Sequence, residues 1–224
     1  MAKNKLQRFR EMKTMSNVAE FMHTDIATGP LSLRGNWSSK LFKNNNPVVL
    51  ELGCGKGEYT VNLARRYPEK NFIGLDVKGS RMYVGARMAL DEDLKNVAFL
   101  RTRIDFINSS FAENEVDEIW ITFPDPQPRK PRKRLTSHLF LSRYRQLLKP
   151  GGIIHLKTDS VIMHESTLEV IEEGKHIQLD ASRNIYHDGK EHDSVLTEIQ
   201  TTYEKKFLAE GKPITYVSFK LNVE

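Results

Sequence analysis

A chain of 224 residues is long enough for one domain with a full hydrophobic core and does not demand two. Its 39% hydrophobic and 28% charged residues suit an ordinary soluble protein, no apolar stretch is long enough to cross a bilayer, and a single cysteine, Cys54, excludes an internal disulfide or a multi-thiolate metal site. The net charge of +5 decides nothing as a total, but Lys3, Lys5, Arg8, Arg10 and Lys13 crowd one segment and Arg129, Lys130, Arg132, Lys133 and Arg134 another, as a polyanion-binding face requires.

Residues 1–46 alternate short polar and apolar pieces without a sustained period and end in Asn44, Asn45, Asn46 and Pro47, which reads as a basic, partly ordered arm before a domain over 47–224. The opening MAKNKLQRFREMKTM has no apolar run behind it and no small-residue cleavage site, so it does not read as a secretory signal and the expected compartment is the cytoplasm. From Pro47 short apolar runs alternate with longer amphipathic ones, the mark of strands joined by crossover helices. A strand over 48–52 leads into a glycine loop and a helix closed by Pro68; a strand over 72–77, a helix over 80–90 and a strand over 97–100 follow. Then come a strand over 116–123, a helix over 137–148 stopped by Pro150, Gly151 and Gly152, and a strand over 153–157. A helix over 160–173, a strand-like run over 177–185, a helix over 196–209 and a strand over 214–221 complete the chain. The expected fold is α/β, a mostly parallel seven-stranded sheet with the last strand antiparallel at its edge.

Gly53, Cys54, Gly55, Lys56 and Gly57 place a glycine-rich turn between the first strand and first helix, where open α/β sheets bind nucleotide-like ligands. A dinucleotide fingerprint would have its third glycine at 58, but Glu58 stands there, and with Glu51 nearby it would repel a pyrophosphate. S-adenosylmethionine carries an ammonium and a sulfonium and no phosphate, so acids around the loop match its charge. Asp76 closes the next strand, where a carboxylate accepts hydrogen bonds from ribose hydroxyls; nicotinamide enzymes share this feature. Cys54 reads as a small packing residue, and His155, His187 and His192 lack ligand-like spacing, so no metal is expected.

At the end of the fourth strand, Phe123-Pro124-Asp125-Pro126-Gln127-Pro128 sets alternating prolines around an acid, a stiff loop suited to holding a base, and the second basic cluster follows at once. With KLQRFREMKT, LELGCGKG, FIGLDVKGSR, ITFPDPQPRKPRKRLT, HLKTD and TTYEKKF in that order, the chain resembles the bacterial tRNA (guanine-N7-)-methyltransferase family over nearly its whole length. The resemblance implies a Rossmann-like class I S-adenosylmethionine-dependent methyltransferase acting at position 46 of the tRNA variable loop. It implies that Glu51, Gly53, Gly55, Asp76 and Asp125 lie at the cofactor, with Asp125 catalytic. Arg129, Asp159, Thr201, Thr202, Tyr203 and Glu204 would touch the substrate, and Pro131, Arg132, Lys133, Arg134, Leu135 and Thr136 the RNA. Three features depart from the family pattern: Gln127 stands where tryptophan is common, Arg129 where lysine is common, and the basic stretch is shorter. The usual acid of the third cofactor position falls on Arg103, with Asp105 two residues on, which favours a backbone contact at Arg103.

The residues alone leave open a methyltransferase of small molecules or proteins, a noncatalytic RNA-binding protein, and a nicotinamide enzyme disfavoured by Glu58. They leave both a monomer and a homodimer open.

Overall fold

The computed structural model describes residues 5–222. Along the chain lie α1 (Lys5–Met12), β1 (Val18–Glu20), β2 (Val48–Leu52), α2 (Glu58–Arg66), β3 (Asn71–Asp76), α3 (Gly79–Asp91), β4 (Val97–Arg101), α4 (Ile107–Ser110) and β5 (Val116–Thr122). After them come α5 (His138–Leu147), β6 (Leu148–Thr158), α6 (Val161–Glu173), β7 (Ile177–Ser182), α7 (Val195–Glu198), α8 (Thr202–Ala209) and β8 (Thr215–Lys220). One sheet takes the order β1-β4-β3-β2-β5-β6-β8-β7, and only β8 runs against its neighbours.

Side-chain alternation along the central strands makes two cores. Leu50, Leu52, Ile73, Leu75, Ile119 and Ile121 point to the layer shared with α5 and α6. Val49, Phe72, Phe99 and Trp120 point to the layer shared with α2 and α3. All five residues of β2 are buried, as a strand covered on both faces requires, and Glu51 is the one acid among them.

Two corrections to the sequence reading concern the sheet. It has eight strands, because Val18, Ala19 and Glu20 pair in parallel with Phe99, Leu100 and Arg101 and extend the β4 edge. The segment before β2 is also anchored at Trp37, which is fully buried, stacks on Phe111 at 5.3 Å and donates through Nε1 to Ser110 O at 3.0 Å. A three-residue strand and an anchor made by one indole leave no periodicity to read. The antiparallel strand is not outermost either. β8 lies between β6 and β7, and burial explains why: five of its six residues are buried, whereas Ile177, Gln178 and Leu179 of β7 are exposed and suit an edge.

The helix expected over 196–209 is two short helices. Its break lies at Thr201, whose hydroxyl accepts from Glu204 N at 3.1 Å and starts α8 as an N-cap.

Candidate active site

β2 delivers the chain into the glycine loop at the carboxyl edge of the sheet. Gly53 N and Cys54 N both donate to Leu75 O, at 2.8 and 3.1 Å, so the loop folds over the end of β3. The loop's two sides differ. At Gly57 (φ +72°) a Cβ would stand 2.5 Å from Phe99 Cε1, so only glycine lets α2 start this close to the sheet. At Gly53 a Cβ would meet nothing within 4 Å, and at Gly55 only Gly53 O at 4.0 Å. The result is a cradle packed beneath and open above.

Acids surround the cradle. Asp76 accepts from Gly55 N at 2.9 Å and from Lys78 N at 2.8 Å, fixing the loop to the first turn after β3. Glu51 is buried, accepting from Thr60 N at 2.8 Å, from the Thr60 hydroxyl, and from Thr122 Oγ1 at 2.6 Å. Burial pushes its carboxyl up to about 7, outweighing the pull of those hydrogen bonds. A cation above the loop would hold Glu51 ionised. An open glycine cradle with carboxylates on both flanking strands therefore fits the cationic methionine end of S-adenosylmethionine and the ribose hydroxyls beside Asp76.

Sequence reasoning did not foresee how the loop is joined to the segment 201–204. Glu58 Oε2 accepts from Thr202 N at 2.9 Å, its other oxygen accepts from the Thr202 hydroxyl, and Lys56 Nζ donates to Thr202 Oγ1 at 3.3 Å. Arg81 Nη1, in the first turn of α3, donates to Tyr203 OH at 2.8 Å. The start of α8 thus spans from the first turn of α2 to the first turn of α3, across the glycine loop. Tyr203 is 46% exposed, while Glu204 is fully buried. Glu204 holds Lys157 Nζ at 2.8 Å and the Tyr186 hydroxyl at 2.9 Å. Its carboxylate faces the interior and fixes α8, and a direct substrate contact by this side chain has no support in its placement. One sequence signal pointed here: a lysine in an otherwise buried strand demands an acidic partner.

The Pro-Asp-Pro loop begins where Phe123 N donates to Lys157 O at 2.8 Å. Its shape comes from more than proline, since Phe123 (φ 48°) and Gln127 (φ 45°) are both left-handed, a strained state that persists where surrounding contacts over-determine it. Asp125 stands exposed between them, its Oδ1 accepting from Gln127 N at 3.0 Å, and Arg134 Nε clamps the loop through Pro126 O at 3.1 Å. The Phe123 ring meets Phe207 at 5.9 Å, and Phe207 stacks on Tyr203 at 6.4 Å. Lys212 lies 4.6 Å over the Phe207 ring and reaches Asp159 at 3.7 Å. The structure thereby brings the Asp125 loop, Asp159 and the Thr201–Tyr203 segment together, on a strip of three aromatic rings beside the cradle.

The other residues singled out by the sequence have surroundings of their own. Arg103 turns to Asp105 at 3.1 Å, and Asp105 also takes Arg143 at 3.1 Å. Burial lifts the Asp105 carboxyl, but the hydrogen bonds from Arg143 and Arg103 prevail and hold it below the ordinary range. With Asp105 engaged, the backbone at Thr102 and Arg103 is what lies beside Asp76, through Thr102 N to Asp76 O at 3.2 Å. Arg129, Pro131, Arg132 and Lys133 are exposed, Leu135 is half-buried, and Thr136 is buried with its hydroxyl 2.7 Å from that of Thr167. Thr136 anchors the basic segment instead of presenting a side chain to RNA. In the first basic cluster Lys5, Arg10 and Lys13 are exposed, and Arg8 donates to Ser80 O at 3.2 Å, docking α1 on the start of α3; Lys3 lies outside the described residues. His155 is buried against Trp120, their rings stacked at 4.1 Å, and His192 contacts Asp180 and Asp188.

Known structures share this architecture. A 30S ribosomal methyltransferase from an uncultured bacterium superposes with a TM-score of 0.61 at 18% identity, covering 86% of this chain and 96% of that one. The 16S rRNA (adenine(1408)-N(1))-methyltransferase of Catenulisporales acidiphilia, solved with its cosubstrate SAM, superposes at 0.56 with 14% identity, covering 86% and 93%. The family described as a putative methyltransferase matches residues 45–217. The fold is that of the class I S-adenosylmethionine-dependent methyltransferases. In sequence, the tRNA (guanine-N(7)-)-methyltransferase of Christiangramia forsetii is 51% identical over 222 residues, covering 98% of this chain and 99% of the relative. The enzyme of that name from Bacteroides fragilis is 48% identical over 225 residues, covering 100% and 88%. This chain belongs to the tRNA (guanine-N(7)-)-methyltransferase family.

Proposed function

We propose that this protein methylates N7 of the guanine at position 46 in the variable loop of tRNA, in the cytoplasm, as a monomer or homodimer, with Asp125 as its catalytic residue. Family membership carries the coarser part, S-adenosylmethionine-dependent methylation of tRNA guanine at N7. Among the described residues no helix is long and apolar enough to cross a membrane.

S-adenosylmethionine, when bound, supplies a methyl group activated by its sulfonium. Gly53 and Gly55 would hold it with the open side of their loop, Asp76 through the ribose, Glu51 through charge beneath the loop, and the backbone at Arg103 beside the adenine. Guanine N7 already carries an in-plane lone pair, so no residue has to remove a proton before attack, and positioning dominates. Orientation of this kind is worth roughly 7–11 kcal/mol in well-aligned systems. Alkylation at N7 makes the purine cationic, and the Asp125 carboxylate stabilises that charge more in the transition state than in the ground state. Arg129, Asp159, Thr201, Thr202 and Tyr203 surround the base, which must leave the RNA stack to arrive there. Arg132, Lys133 and Arg134 hold the phosphate backbone.

The observation that carries this reading is the exposed Asp125 on a strained, clamped loop, joined by the Phe123-Phe207-Tyr203 strip to the cofactor cradle. Incubation with methyl-labelled S-adenosylmethionine and unmodified tRNA, followed by digestion and mass spectrometry, should give labelled 7-methylguanosine. Transfer should vanish from a tRNA with adenine at position 46; label retained there would refute the assigned position.

A further inference from the structure

We infer that Arg81 is a positioning residue for the target base, holding the Tyr203 ring across the mouth of the glycine cradle as the surface on which the guanine stacks. The inference rests on the reading that the start of α8 meets tRNA. Arg81 sits one turn after Asp76, its backbone N bonded to Lys78 O at 2.9 Å, so its guanidinium projects from a fixed base. That guanidinium is exposed, and it donates to a phenol 122 residues away rather than to a carboxylate. Even with a charged donor, a single hydrogen bond between exposed side chains adds little to stability. It does fix a ring. One side of Tyr203 is packed by Phe207, at 6.4 Å and 25°, while 46% of the residue stays open to solvent. The neighbouring residue is tied to Glu58 and Lys56, so the ring is pinned from both flanks of the loop that takes the cofactor.

A base leaving an RNA stack loses its neighbours, and an aromatic ring restores one of them at any base identity. A rigid ring does this better than a mobile one, because less side-chain freedom is lost on binding. Arg81 thereby acts on tRNA through Tyr203 and leaves cofactor binding alone.

Steady-state kinetics with tRNA varied, beside calorimetric titration of S-adenosylmethionine, test this on Arg81→Ala, Arg81→Lys, Tyr203→Phe, Tyr203→Ala and the double variant R81A/Y203F. Arg81→Ala and Tyr203→Phe should each lower kcat/KM for tRNA about five- to tenfold, with the cofactor Kd unchanged. The double variant should be no worse than either, since both remove one interaction, and Arg81→Lys should recover part of the loss. Tyr203→Ala should lose about tenfold more, because the stacking surface goes with it. Additive losses in the double variant would overturn the inference, as would an Arg81→Ala enzyme with normal kcat/KM beside an impaired Tyr203→Ala enzyme; either leaves the substrate role of α8 standing. An unimpaired Tyr203→Ala enzyme would remove that role as well. Arg81 and Tyr203 are exposed, so unchanged melting temperatures should accompany the expected result.

Discussion

Lys157 and Glu204 meet at 2.8 Å with both side chains wholly buried, so an ammonium from β6 and a carboxylate from α8 neutralise each other inside the protein. The rest of their polar capacity is also used: Lys157 donates to Ile199 O at 3.2 Å and lies 5.3 Å over the Tyr59 ring, while Glu204 takes the Tyr186 hydroxyl. Burial pushes the lysine's pKa down, and the glutamate only partly restores it. Removing one partner therefore strands a charge. Glu204→Gln and Lys157→Met should each cost about 3–5 kcal/mol of unfolding free energy, measured by denaturant titration. The paired replacement Lys157→Met with Glu204→Leu should regain most of it. A Glu204→Gln protein of unchanged stability but lost activity would instead make Glu204 a direct substrate contact.

The pH dependence of stability should carry the mark of Glu51. Its carboxyl has an ordinary value of 4.5 and stands at about 7 in the folded chain because it is buried. A folded value above the unfolded one means that the neutral acid contributes stability below 4.5, and that this contribution fades as pH rises through 7. Glu51→Gln stays neutral throughout. Between pH 5 and 8 the wild type should lose on the order of 3 kcal/mol relative to the variant, read from denaturant midpoints at each pH. Cofactor affinity should move the other way, rising with pH through about 7 in the wild type as the carboxylate forms, and staying weak and flat in the variant.

The basic segment makes a prediction that separates charge from loop geometry. Arg132 and Lys133 are exposed on a turn, whereas Arg134 also holds Pro126 O. Replacing Arg132 and Lys133 by alanine should flatten the log–log salt dependence of tRNA affinity by about 1.5 units and leave kcat alone. Replacing Arg134 should lower kcat as well, because the Asp125 loop loses its clamp. An unchanged salt slope in the first variant would place the RNA elsewhere.

Much of the parallel sheet could be read from sequence because the central strands are short apolar runs, some of them set off by glycine or proline, as at Val48–Leu52 between Pro47 and Gly53. The charged motifs located the mouth of the site for the same local reason: glycines, prolines and acids mark loops whatever surrounds them. What stayed illegible was set by distant packing. Nothing near Trp37 announces a buried anchor, and the slot that receives β8 depends on how much of β7 is left exposed. Thr136 and Glu204 look like surface residues in the sequence; α6 buries the one, and Lys157 gives the other a partner that only the fold supplies.

Asp125 offers the most direct test of the chemistry. Its Oδ1 holds Gln127 N, so alanine removes both a charge and a turn, whereas asparagine keeps an acceptor for that bond and removes the charge alone. If the carboxylate stabilises the cationic purine, Asp125→Asn should lower kcat on the order of 10²-fold, with tRNA affinity and melting temperature near those of the wild type. Asp125→Ala should fall further and weaken tRNA binding, because the loop between Phe123 and Gln127 loses its internal tie. The comparison is read from single-turnover rates at saturating tRNA. An asparagine variant as fast as the wild type would show that Asp125 shapes the loop without touching the reaction, and the charge stabilisation would have to come from another acid, such as Asp159 beside Lys212.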